Sequence, residues 1–333
     1  MIQVLVSVLM WLLVASLLIF RRGRADHSIT YSAATIAVAM TLNIDTVYGW
    51  ADPMLGGTNI VTLLADLALM IGIFFLGRGV AKASEYAPRA IKVVLGRTVL
   101  AIALAGVVAA FALIDRGETT TTFMLDYGAQ PAAAAYSIIQ YAYDGAIVTT
   151  MAVVATRQIG GSTGAARLPA VSLLIGSVIG CVLAVVIIVM DVAHLTGNLM
   201  LMSTLGVFYG PLFLLTFVFL CVGLAGQPAI RWARARARTV NTRTLVARVT
   251  PIWERANAVR PGMSQQQGGG FPGEDAEAQL HRQVVEIRDA VIDPRVTFEL
   301  SAPERELLDG AEAHLMGRDV SPHAVAGHSK EAH

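Results

Sequence analysis

The stretch "TNIVTLLADLALMIGIFFLG", residues 58–77, decides the fold. It is long and apolar enough to cross a bilayer as one helix, because a span needs about 20 consecutive apolar residues. Yet Asp66 sits near its middle. A charge at membrane depth is costly unless it is neutral, paired or open to water, so an intramembrane carboxylate marks a functional site until shown otherwise.

Working outward from that segment, composition places the whole chain in the same class. Of 333 residues, 55% are hydrophobic and 15% charged, and the mean hydropathy is +0.61, which excludes an ordinary soluble domain. The charge is unevenly spread: residues after Gln227 hold 14 of the 25 basic and 14 of the 24 acidic groups. This predicts a membrane domain followed by a polar C-terminal region. Cys181 and Cys221 lie inside apolar runs with no second ligand at metal spacing, so they read as packing residues.

Seven apolar segments can be marked out: 2–20, 28–50, 58–77, 98–114, 133–156, 169–190 and 206–226. The first is read as a retained helix and not a signal peptide, since Arg21, Arg22 and Arg24 follow it instead of preceding it. With the N-terminus outside, the loops assigned to the cytoplasm carry those three together with Arg78, Lys82, Arg89, Lys92, Arg97, Arg157 and Arg167. The outer loops carry only Arg116. That asymmetry satisfies the positive-inside rule. The expected fold is therefore all-α and polytopic, with seven transmembrane helices, N-terminus out and C-terminus in, in the plasma membrane.

The expected domains are a seven-helix region over 1–226, a basic juxtamembrane helix over 227–260, a flexible linker over 261–276, a cytoplasmic helical hairpin over 277–317 and a disordered tail over 318–333. The juxtamembrane segment, "RWARARARTVNTRTLVAR", brings Arg231, Arg234, Arg236 and Arg238 next to the bilayer. They read either as an orientation signal or as contacts to anionic lipid; no nucleic-acid-binding motif accompanies them. The linker is rich in Gly, Gln and Pro. In the hairpin, Leu280, Val284, Ile287 and Val291 share one helical face, with Arg282 and Glu286 one turn apart on another. Ser301, Pro303 and Glu304 have the pattern of a capped helix start. The apolar face needs a cover: the hairpin itself, the arginine-rich helix, or a partner protein. His323, His328 and His333 read as tail composition, not a metal site.

Polar residues accompany the buried acids at helical spacing: Thr41, Asp45 and Tyr48; Asn59, Thr62 and Asp66; Tyr136, Gln140 and Asp144. No Lys or Arg lies deep in a span. Facing inward, these stripes would line one outward-facing acidic cavity for protons, cations or a cationic ligand; alternatively each Asp ties two helices together by hydrogen bonds. Ser172, Gly176, Gly180 and Ala184 form a small-residue face, suited to packing inside the bundle or to pairing two copies as a homodimer. Signatures of metalloproteases, serine hydrolases and nucleotide-binding loops are missing, and no cofactor is called for. An intramembrane aspartyl enzyme using Asp66 and Asp144 is the remaining catalytic option.

Three segments carry a resemblance: "AMTLNIDTVYGWADPMLGGTNIVTLLADL" (39–67), "RVTPIWERA" (248–256) and above all "QLHRQVVEIRDAVID" (279–293). Together they resemble the actinobacterial seven-helix integral membrane proteins described as transporters of unknown substrate, which place a helical domain in the cytoplasm. The resemblance reaches to about Met316. It implies a setting in signalling or mobile-element biology, since such proteins are encoded near helix-turn-helix regulators and metallopeptidases. Asp45 and Asp66 depart from the family pattern, so no family residue roles pass to them. The reading that results is a non-enzymatic sensor or scaffold signalling to a cytoplasmic regulatory protein, with a proton- or cation-linked transporter as the alternative.

Overall fold

In a computed structural model, residues 1–20, 28–84, 88–259 and 275–317 are described. The arginine cluster at 21–24, nearly all of the linker and the histidines of the tail lie outside them. All regular structure among the described residues is helical, and it divides into two compact units, Met1–Arg231 and Trp232–His333.

The first unit contains α1 (Ile2–Phe20), α2 (Ser28–Leu42), α3 (Asp45–Met54), α4 (Ile60–Ser84), α5 (Arg89–Val94), α6 (Arg97–Ala112), α7 (Phe123–Tyr127), α8 (Pro131–Gly161), α9 (Arg167–Leu195) and the first half of α10 (Leu199–Val259). Helix α8 is the hub, packing against α4, α6 and α9, while α2 bridges α1 and α4. Large apolar side chains also point outward, among them Leu12, Leu18, Ile102 and Val185. A helix that is apolar on every side needs an apolar surrounding, so this unit has the build of a membrane protein.

Among the described residues, five helices are long and apolar enough to span: α1, α4, α8, α9 and α10. The other two apolar helices, α2 and α6, have 15 and 16 residues and cover about 23 Å at a rise of about 1.5 Å per residue. The expected second span over 28–50 is broken. Ile44 takes an extended conformation (φ −74°, ψ 125°), and α3 starts afresh at Asp45. The backbone N–H and side-chain amide of Asn43 both donate to the Ala39 carbonyl, at 3.2 and 3.3 Å, and the Ile44 N–H turns to the Thr41 carbonyl (3.2 Å), closing α2.

Close approach depends on small residues. A Cβ on Gly72 of α4 would lie 2.4 Å from Ile36 Cγ1 of α2, and beside it Ser32 Oγ donates to the Gly72 carbonyl. The small face of α9 is likewise filled from within the chain. A Cβ on Gly176 would meet the Leu220 backbone nitrogen of α10 at 2.8 Å, and one on Gly180 would stand 3.2 Å from the Thr216 methyl. Ser172 Oγ donates to the Phe219 carbonyl at 2.8 Å, and Ala184 meets Gly145 of α8. The small face thus lies against α8 and α10 of the same chain.

The second unit joins the end of α10 to α11 (Ala276–Ile292) and α12 (Ala302–Leu315). Val249, Ile252 and Ala256 of α10 enclose Leu280, Val284 and Ile287 of α11 and Leu308 and Ala311 of α12. The expected partner-facing stripe is therefore covered by the chain's own helices, and only Val291 stays substantially exposed, at 41%. Polar contacts register the helices: Trp253 Nε1 donates to Glu286 Oε2 (2.5 Å), Gln283 Nε2 to Thr250 Oγ1 (3.0 Å), and Arg288 binds Glu312 (2.6 Å) and Asp309 (2.5 Å). The seventh span and the arginine-rich segment, expected as separate pieces, form one continuous helix. Residues 231–240 on it are exposed throughout, with Arg231 on Gln227 (3.2 Å) and Arg238 on Glu277 (2.6 Å).

Candidate ligand cavity

Near the N-terminal end of α4, the broken second span turns back into a fastening. Asp52, fully buried, accepts from the backbone N–H of Asn59 (2.9 Å) and Val61 (3.1 Å) and from the Thr119 hydroxyl (2.7 Å). It thus supplies a carboxylate to the free N–H groups at the start of α4, where the helix dipole favours negative charge. Asn59, at φ 61°, ties in the rest. Its Oδ1 accepts from Tyr48 OH (2.8 Å) and Thr120 N (2.8 Å), and its Nδ2 donates to the Glu118 carbonyl (3.0 Å). Thr62 Oγ1 shares the Tyr48 hydroxyl at 2.8 Å. This network holds α3 and the 118–122 loop over the end of the bundle.

Beneath it lies a cavity of about 490 Å³. Asp66 of α4 lines it, half-buried, and accepts a 2.5 Å hydrogen bond from Tyr136 OH of α8. Next along α8 come Ser137 and Gln140, each 2% exposed; Asp191 of α9, 6% exposed, faces the same space. Gln140 neighbours Asp66 and Ser137 neighbours Asp191, but Gln140 Nε2, Ser137 Oγ and Asp191 Oδ2 have no hydrogen-bond partner among the described residues. Buried polar atoms are normally satisfied, so three such atoms on one cavity wall are a feature in their own right. The rim includes exposed Asp45, Thr121, Thr122 and Leu125, so the cavity opens to the surface. With its amide turned toward these acceptors, Gln3 donates to Asp45 Oδ1 (3.2 Å) and to the Asn43 carbonyl (3.0 Å).

The expected polar stripes are only partly brought together. Asp66, Asp45, Thr62, Gln140, Tyr136 and Tyr48 all line this cavity. Thr41 is drawn away, because the break at Asn43–Ile44 leaves its hydroxyl to Ser7 (3.0 Å) and Trp11 (3.1 Å) of α1. Asp144, one turn beyond Gln140, does not reach it. Its side chain lines a separate, almost wholly apolar cavity of about 70 Å³ with Met10, Leu69, Val148 and Cys221, and its Oδ1 lacks a partner among the described residues. Asp66 and Asp144 therefore line two different cavities, which share Leu69, Tyr141 and Phe213 as walls.

Asp191 and Asp52 are the carboxylates whose roles sequence reasoning missed. Asp191 had a signal, as an acid near the end of the 29-residue helix α9. Asp52 had a weaker one, the "DPMLGG" turn just ahead of α4. No family model matches the chain, and no curated protein or solved structure does either.

Proposed function

We propose that this chain is a plasma-membrane sensor or scaffold that receives a small ligand in the 490 Å³ cavity and signals through its C-terminal unit to a regulatory protein in the cytoplasm. The observation that carries this reading is helix α10. It supplies Tyr209 and Phe213 to the cavity wall and Val249, Ile252 and Ala256 to the core of the second unit. A ligand that displaces α10 at the cavity acts on an element that the output unit also uses, which is the coupling a sensor needs.

The topology belongs to the same proposal: seven spans, N-terminus out, C-terminus in. Helices α2 and α6 pack among the long helices, and the loop arginines and lysines favour the C-terminal end of α4 as cytoplasmic. The cavity, at the other end of α4, is then outward-facing. Kinship with the actinobacterial seven-helix proteins, a non-enzymatic role, lipid contact by Arg231, Arg234, Arg236 and Arg238, and the absence of a nucleic-acid role are parts of this reading.

The test is copurification from native membranes, comparing the full chain with one ended after Arg260. A regulatory protein held only by the full chain is the expected result. Asp144 supports one second reading, a proton- or cation-linked transporter, because a buried acid one helical turn below the cavity is a stepping point for a proton. If no partner depends on the C-terminal unit, and the shortened chain conducts solute in liposomes, that second reading replaces the first.

A further inference from the structure

We infer that the cavity between α4, α8, α9 and α10 takes a small organic cation, an amine or quaternary ammonium compound, held between Asp66 and Asp191. This names the ligand class for the cavity proposed above and rests on that part of the reading alone, not on signalling.

Charge comes first. Asp45, Asp66 and Asp191 line the cavity, and among the described residues no Lys or Arg does. Tyr136 OH donates to Asp66, Gln140 stands beside the same carboxylate and Ser137 beside Asp191, and Asp191 Oδ2 is without a hydrogen-bond partner among the described residues. The wall thus carries three carboxylates and, among the described residues, no basic side chain to balance them. A positively charged guest supplies what the wall lacks, in a low-dielectric site where such pairing is strongest.

The rest of the lining decides what kind of cation. Six aromatic rings border the cavity: Tyr48, Phe123, Tyr136, Tyr141, Tyr209 and Phe213. Four of them form two pairs, with Tyr209 and Phe213 stacked at 5.6 Å and Phe123 set edge-on to Tyr136 at 6.1 Å. Aromatic faces attract diffuse organic cations, and quaternary ammonium groups above all. Ca²⁺ asks for about 6–8 closely gathered oxygens, whereas here the two inner carboxylates stand on different helices, α4 and α9, among rings and apolar side chains. The volume, about 490 Å³, falls within the range of about 300–1,000 Å³ usual for small-molecule sites.

The experiment uses the full chain in zwitterionic-lipid nanodiscs, with Cys181→Ser and Cys221→Ser and a single reporter, Met190→Cys, on the cavity wall. Labelling rates are measured with a trimethylammonium-ethyl and a sulfonato-ethyl methanethiosulfonate, each normalised to a free thiol. The cationic reagent is expected to be favoured at least about 10-fold, the preference falling toward unity with Asp66→Asn and Asp191→Asn together. Millimolar choline is expected to slow cationic labelling while NaCl at equal ionic strength does not. Thr122→Cys at the rim serves as reporter if Met190→Cys does not fold. A preference near unity, or one indifferent to the two Asp variants, overturns the proposal. Protection by NaCl equal to that by choline, or none by choline, overturns its organic part. None of these readouts involves the C-terminal unit, so failure here and failure of the signalling reading are separate results.

Discussion

Tyr136 on α8 donates its phenolic hydrogen to Asp66 on α4 across 2.5 Å, and the tyrosine is itself wedged against Phe111 at 5.5 Å. The ring packing positions the hydroxyl, so the bond is both a helix tie and the feature that aims Asp66 at the cavity. Removing the hydroxyl alone separates these roles. Tyr136→Phe keeps the ring and is expected to destabilise the membrane unit by about 1 kcal/mol, the usual scale for interhelical bonds in lipid. A double-mutant cycle with Asp66→Asn, read by unfolding in mild detergent, is expected to show a coupling energy of similar size. Additive losses would mean that the bond contributes nothing to stability.

Asp52 gives a larger effect from a position with no contact to Asp66. It is fully buried and accepts three hydrogen bonds, two from the backbone at the start of α4. Asp52→Ala leaves those donors buried and unpaired, at about 1–3 kcal/mol for each group left unsatisfied. Faster amide exchange at Asn59 and Val61 is the expected signature, together with a lower unfolding temperature. Retained protection at both amides would count against the carboxylate as the fastening of α4.

What the sequence disclosed depended on periodicity. Long apolar runs located α1, α4, α8 and α9 and, within two residues, where each starts, though α4, α8 and α9 run on past the expected ends to Ser84, Gly161 and Leu195; the Ser301–Glu304 spacing foretold a capping box that is present. Contacts between residues far apart in the chain carry no such local signal. The break at Asn43–Ile44 needed only one extended residue, and it moved Thr41 to α1 while returning Tyr48 to Asn59 and Thr62. Asp144 shared a helical face with Tyr136 and Gln140, yet one turn of rise carried it into apolar surroundings. Helical phase tells which side a residue faces, not how deep the opposing cavity runs. Asp191 was legible as an acid in an apolar helix; that it meets Ser137 across α8 and α9 was not.

The small face of α9 tests close packing. At Gly176 an added Cβ would press on backbone, the Leu220 nitrogen at 2.8 Å; at Gly180 it would lie 3.2 Å from the Thr216 methyl, a side-chain atom. Backbone must move as a unit, whereas a methyl can turn aside. Gly176→Ala is therefore expected to destabilise by about 1–3 kcal/mol, as overpacking does, and Gly180→Ala by clearly less. Thermal unfolding of the two variants in one detergent compares them directly. The reverse ranking would place the tight contact between α9 and α10 elsewhere.

The start of α12 carries a pH dependence whose sign follows from its bonds. Glu304 Oε2 accepts from the Ser301 backbone N–H and from its hydroxyl, both at 2.9 Å, and Arg255 Nη2 reaches Oε1 at 2.7 Å. These favour the ionised form, the Ser301 backbone bond most, and against a smaller opposing effect of burial they hold the Glu304 carboxyl below its usual range. A group whose acidity is greater folded than unfolded adds stability above its unfolded pKa, and that stability is lost as pH falls through the folded value. The amides of Ser301 and Glu304 are thus expected to stay protected at neutral pH and to lose protection below about pH 4, under the ordinary glutamate value. Ser301→Ala should cost about 1 kcal/mol at pH 7, as loss of an N-cap does, and Glu304→Gln should flatten the acid-side loss without abolishing the helix. Amide exchange on the full chain reads both, and an acid-side loss unchanged in Glu304→Gln would assign it to another carboxylate, with Asp309 and Glu312 on Arg288 as the next to substitute.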